Sequence, residues 1–118
     1  MKSGADLITE AKQRITEVTA RDVQERRQRG EAVVLLDVRE PNETALGRAK
    51  GAVVIPRGTL EGSIEARVPR DQTVVIYCAS GNRSALAADT LQQMGYEKVS
   101  SLKGGFRAWA TEGGEVEG

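Results

Sequence analysis

The sequence predicts an α/β fold in which a parallel sheet of about five strands carries helices on both faces. Three observations predict it. Ala32-Val-Val-Leu-Leu-Asp37 is a continuous apolar run with no helical period, bounded by Gly30 and Pro41, as expected of a strand buried on both sides. Thr73-Val-Val-Ile-Tyr77 is a second such run. Helical spacing marks the segments around them, and strands alternating with helices imply parallel pairing through crossovers.

The elements follow in order. Residues 5–14 place Leu7, Ala11 and Ile15 at four-residue spacing, so residues 1–14 read as an N-terminal helical extension ahead of one domain, 15–118. Ile15–Val18 is a candidate edge strand. Thr19 reads as an N-cap with Asp22 three residues on, a capping-box variant, for a helix running to Arg29 and stopped by Gly30. Val53–Ile55, before Pro56, is a short strand, and Leu60–Ala66 a modest helix. Ser84–Met94 puts Ala87, Leu91 and Met94 on one helix face with Leu86 flanking, and Gly95 ends it. Val99–Leu102 is the last strand and Phe106–Thr111 the last short helix. Residues 112–118, rich in Gly and Glu, read as frayed.

Composition narrows the function. The chain has 118 residues, enough for one ordinary core. Aromatics are only 3%, so Val, Leu, Ile and Ala must build that core. Seventeen basic residues balance seventeen acidic ones, so no net field points to nucleic acid or an anionic membrane. Arg26-Arg27-Gln28-Arg29 reads as an exposed helix face. A single cysteine excludes an intrachain disulfide, and the absence of histidine removes Cys–His dyads, Ser–His–Asp triads and imidazole metal sites. No metal or organic cofactor is expected. No apolar run reaches the length of a membrane span and no signal-peptide pattern is seen, so the expected location is the cytoplasm.

The one thiol, Cys78, lies where the second buried run meets a helix. Ligands of parallel sheets bind outside the carboxyl ends of the strands, and both Cys78 and Asp37 fall there. The loop reads Cys78-Ala79-Ser80-Gly81-Asn82-Arg83, followed by Ser84. A thiolate needs stabilisation at neutral pH. Converging loop amides, the helix N-terminus, the Arg83 guanidinium and the Ser84 hydroxyl are available for it, with Gly81 allowing the tight curvature. The bland alternative is an inert buried cysteine; the glycine turn, the closing arginine and the immediate helix start argue against it. Asp37 orients the loop, pairs with an arginine at the strand ends, or holds the turn after the strand by a structural hydrogen bond. Arg39, Arg48 and Arg57 are candidates for an electropositive mouth. Trp109 reads as core.

The loop resembles the active-site loop of the rhodanese family of thiosulfate- and persulfide-handling sulfurtransferases. Three further segments resemble that family's motifs in the family's order: Leu36-Asp-Val-Arg-Glu-Pro-Asn-Glu43, Gly51-Ala-Val-Val-Ile-Pro56 and Leu102-Lys-Gly-Gly-Phe-Arg-Ala-Trp109. The resemblance implies a rhodanese-like fold and a covalent mechanism. Cys78 takes a sulfane sulfur from thiosulfate or a persulfide donor and passes it to a thiol or cyanide. The loop Ala79–Ser84 binds the persulfide, and Asp37, Arg39 and Arg48 are possible supporting residues. Six-residue loops in that family go with sulfur transfer, and loops one residue longer with phosphatase or arsenate-reductase chemistry. A second possibility is a sulfur-relay or sensory module, loaded by a partner protein and little active on free thiosulfate. Two departures bear on this choice: Ala79 stands where the family often has arginine, and Gly47-Arg48 where it usually has Gly-His. Neither nucleic acid nor membrane is expected as a partner.

Overall fold

A computed structural model describes the whole chain, Met1 to Gly118. Its helices are α1 (Gly4–Arg14), α2 (Ala20–Gln28), α3 (Pro41–Thr44), α4 (Leu60–Arg67), α5 (Asn82–Gln93) and α6 (Gly105–Thr111). A 3-10 turn, Arg57–Thr59, leads into α4. The strands are β1 (Thr16–Val18), β2 (Val34–Asp37), β3 (Arg48–Ala49), β4 (Val53–Val54), β5 (Val74–Tyr77), β6 (Val99–Leu102) and β7 (Val116–Glu117). Five of these form one parallel sheet in the order β1-β6-β5-β2-β4. The expected α/β architecture of about five strands is therefore present, and its central strands β5 and β2 are the two apolar runs.

Side chains alternate across a strand, so each central strand feeds two cores. Leu36, Val38, Val74, Ile76 and Cys78 pack with Leu60, Ile64, Ala87 and Leu91 of α4 and α5. Leu35, Val75 and Tyr77 pack on the opposite face with Ala20 and Val23 of α2 and Trp109 of α6. Trp109 is thus a core residue, and its indole Nε1–H donates to the Glu115 carbonyl at 2.8 Å.

Local chemistry sets the first elements. The Thr19 hydroxyl accepts from the Asp22 amide while the Asp22 carboxylate accepts from the Thr19 amide, each at 3.1 Å. This reciprocal cap removes two orphan donors of α2. The same device, Ser3 with Asp6, starts α1. Helix α1 lies on α5: Ala11 is buried, and Arg14 reaches Asp89 with two hydrogen bonds of 3.0 and 2.8 Å.

The C-terminal segment corrects the expectation of fraying. Val116–Glu117 pairs antiparallel with Arg48–Ala49, and the Glu115 carbonyl accepts from the Lys50 amide at 2.9 Å. These two-residue strands exist because each supplies the other's hydrogen bonds, which no local pattern announces. Helix α3 is a further element that the sequence does not predict. It is a single turn begun by Pro41.

At the carboxyl end of β2 a buried ion pair closes the fold. Asp37 is fully buried and Arg39 only 5% exposed. Arg39 donates from Nε to Asp37 Oδ1 (3.1 Å) and from NH2 to Oδ2 (2.8 Å) and to the Gly47 carbonyl (2.7 Å). Its guanidinium lies 4.2 Å from the Phe106 ring centroid. Removing one partner of such a pair strands a charge in a dry interior. Arg39→Ala is expected to destabilise the fold by roughly 3–5 kcal/mol, read from the midpoint of urea unfolding.

Candidate active site

Strand β5 carries its last residues into a tight loop, and helix α5 begins at Asn82. Gly81, at φ 108°, turns the backbone so that its amide faces back toward the cysteine. Cys78 is only 1% exposed. Its Sγ accepts from the Gly81 amide at 3.1 Å and from the Ser84 amide at 3.3 Å, and lies 3.5 Å from Ser84 Oγ. Burial pushes the thiol up, but the Ser84 hydroxyl and the Ser84, Gly81 and Ser80 amides outweigh it, and the thiol ends below its ordinary value. This nest favours a sulfur anion.

The loop is held from outside by α6. The Phe106 amide donates to the Cys78 carbonyl at 2.8 Å and the Arg107 amide to the Ala79 carbonyl at 3.3 Å. This approach needs Gly105, at φ 58°. A Cβ there would overlap the Cys78 carbonyl oxygen and sit 2.7 Å from the Ala79 carbonyl carbon.

Arg83 closes the loop but spends its hydrogen bonds elsewhere. Its two terminal nitrogens donate to both carboxylate oxygens of Glu43, at 2.8 and 3.0 Å. Glu43 also accepts from the Glu40 amide at 2.9 Å. The Arg83 hydrogen bonds, then that from Glu40, hold the Glu43 carboxyl down at about 2. Its pKa is lowered by folding, so the pair's stabilisation is complete above the ordinary carboxylate range and lost only as pH falls toward 2.

The rhodanese-like domain model matches residues 19–112. The chain belongs to the rhodanese-like family. A sulfurtransferase of Allochromatium vinosum is 37% identical over 99 residues, which cover 84% of this chain and 92% of that protein. A probable adenylyltransferase/sulfurtransferase, MoeZ, of Mycobacterium tuberculosis is 34% identical over 80% of this chain, but the match takes up only 24% of that longer protein. Among solved structures, a Rhodopseudomonas palustris protein of unknown function, described as a possible tyrosine phosphatase, superposes with a TM-score of 0.89 at 36% identity. The match covers 99% of this chain and 96% of that one. The solution structure of a rhodanese-like domain from Anabaena gives 0.81 at 30% identity, over 86% and 78% of the two chains. Relatives named as sulfurtransferases support sulfur transfer as the general activity, and with it a transferase.

This rhodanese-like domain brings Cys78, Gly81 and Ser84 together around one sulfur atom, while Ala79 and Ser80 line the turn and Asn82 is exposed at its rim. It does not assemble an electropositive mouth. Arg39 is buried on Asp37. Arg48 lies 3.7 Å from Glu117 across the β3–β7 ribbon, and Arg57 bonds Glu61 at 2.8 Å. Each of these guanidinium groups is paired with a carboxylate. Asp37 pairs with an arginine at the strand ends and also holds the turn after β2, its Oδ1 accepting from the Arg39 amide at 2.9 Å.

Sequence reading missed two residues. Glu43 sits in a quoted motif, but nothing local ties it to Arg83. Ser101 lies in β6, fully buried, with its Oγ 2.8 Å from Ser84 Oγ. A polar residue in a strand buried at every position was the available signal. Cys78, Ser84 and Ser101 form a chain of two hydrogen bonds. With a neutral thiol the three groups bring three protons to two bonds, and one is left without an acceptor. With a thiolate, Ser101 donates to Ser84 and Ser84 to the sulfur, and every proton is placed. Ser101→Ala is expected to raise the Cys78 titration midpoint by the worth of about one hydrogen bond, near 1 kcal/mol. Thiolate ultraviolet absorbance reads this cleanly, since there is no second cysteine. Gly105→Ala forces a side chain into the Cys78 carbonyl at positive φ, and a loss of roughly 2–4 kcal/mol in urea unfolding is expected.

Proposed function

We propose that the protein is a sulfurtransferase that carries a sulfane sulfur as a persulfide on Cys78. The observation that carries this reading is the convergence of loop amides and the Ser84 hydroxyl on a single buried sulfur. In the loading step the Cys78 thiolate attacks the outer sulfur of the donor. An S–S bond forms to Sγ, the donor's own S–S bond breaks, and its electron pair leaves on sulfite or on a thiolate. The same amides then stabilise the terminal sulfur anion of the persulfide. An acceptor thiolate or cyanide attacks that terminal sulfur and returns the electron pair to Sγ. No electrons are gained or lost overall. Residues 15–118 carry this chemistry, and residues 1–14 are an extension packed on α5. A lone reactive thiol suits the reducing cytoplasm, where we place the protein.

Loop length supports sulfur over phosphoryl transfer. Four residues separate Cys78 from Arg83, and the resulting ring of amides fits one terminal sulfur more closely than a tetrahedral phosphoryl group. Ala79 and the engagement of Arg83 by Glu43 favour a second reading, a relay module loaded by a partner protein rather than by free thiosulfate.

Incubation with a persulfide donor is expected to add one sulfur to the intact mass and to yield thiocyanate when cyanide follows. Cys78→Ser abolishes both without loss of fold. A folded wild-type protein that takes up no sulfur from any donor, or that hydrolyses an aryl phosphate instead, defeats the reading. Loading by a desulfurase but not by small donors decides for the relay.

A further inference from the structure

The charge around the loop follows a pattern the sequence did not lead one to expect. Arg83 is the only arginine in the thiol loop, and Glu43 takes both of its terminal nitrogens. Glu43 is itself fixed by the Glu40 amide, so the carboxylate does not swing aside freely. The electrostatic neighbours of Arg83 are Glu43, Cys78 and Glu40. One guanidinium therefore faces two carboxylates and a sulfur that ionises. Ala79 adds no charge. Arg107, whose amide holds the Ala79 carbonyl, is exposed and forms no ion pair, so water and salt screen it. Nor does any of the three surface cavities include a loop residue. The sulfur lies beneath a surface without a cavity, and the one guanidinium of its loop is already neutralised by a carboxylate.

Thiosulfate brings two negative charges to that surface and releases them as sulfite. A persulfide R–S–S–H brings at most one, and none on its carrier if R is uncharged or cationic. We propose that Glu43 sets the donor class: by holding Arg83 it disfavours thiosulfate and leaves the site to a persulfide presented on an uncharged or cationic carrier. This rests on Cys78 as the sulfur carrier. In the step, Cys78–S⁻ attacks the terminal sulfur of R–S–S–H. The S–S bond of the donor breaks with its electron pair leaving on R–S⁻, the proton of the transferred sulfur passes to that leaving thiolate to give R–SH, and Cys78–S–S⁻ remains.

Loading rates of the full chain, followed by intact mass, test this with two donors: thiosulfate and the persulfide of N-acetylcysteine methyl ester. The wild type is expected to load faster from the persulfide. Its loading by thiosulfate is expected to rise with added salt, because salt screens a repulsion. Glu43→Gln is expected to raise the second-order rate with thiosulfate by about tenfold or more and to leave the persulfide rate within about threefold. Glu43→Asp, which keeps the charge, keeps the discrimination. Adding Arg83→Gln to Glu43→Gln removes the gain. Equal changes for both donors in Glu43→Gln, or wild-type thiosulfate loading that falls with salt, would overturn the donor assignment while leaving sulfur transfer intact. A wild type loaded by neither donor overturns both.

Discussion

The site depends on a contact between two stretches of main chain. Gly105 lies so close to the Cys78 carbonyl that no side chain fits between them, and the amides of Phe106 and Arg107 hold the carbonyls of Cys78 and Ala79. The Ala79 carbonyl, turned outward onto α6, shares its peptide unit with the Ser80 amide, which joins the amides of Gly81 and Ser84 in favouring the sulfur anion. Peptide dipoles have two ends, and fixing one end fixes the other. The glycine pair that opens α6 thus acts on the thiol without touching it.

Charge is handled by pairing at short range. Asp37 holds Arg39, Glu43 holds Arg83, Glu61 holds Arg57 and Asp89 holds Arg14. The thiolate is therefore stabilised mainly by neutral groups, namely amides and hydroxyls that are already in place. Neutral donors suit a sulfur that must later accept and lose a second sulfur, since they do not bind either anion as an ion pair.

The sheet, both capped helices and the thiol loop were legible because their signals are local. Apolar runs without helical period gave β2 and β5, Thr19 with Asp22 gave the start of α2, and one cysteine before a glycine turn gave the site. What escaped was set by partners far along the chain. The β3–β7 ribbon joins residues whose pairing has no period. The arginines looked free because sequence shows a charge but not its nearest neighbour: Glu43 is 40 positions from Arg83. Ser101 had a readable signal, a hydroxyl in a fully buried strand, whose partner only the fold supplies.

The strand order has a consequence for the timing of reactivity. β6 sits between β1 and β5, so a strand from late in the chain completes the middle of the sheet. Ser101 belongs to β6, and Gly105 follows it at the start of α6. A chain emerging from the ribosome exposes Cys78 before either is available. Until then the residue lacks hydrogen bonds that favour its thiolate. The stabilised thiolate therefore arrives only with the last third of the chain, which supplies Gly81, Ser84, Ser101 and Gly105.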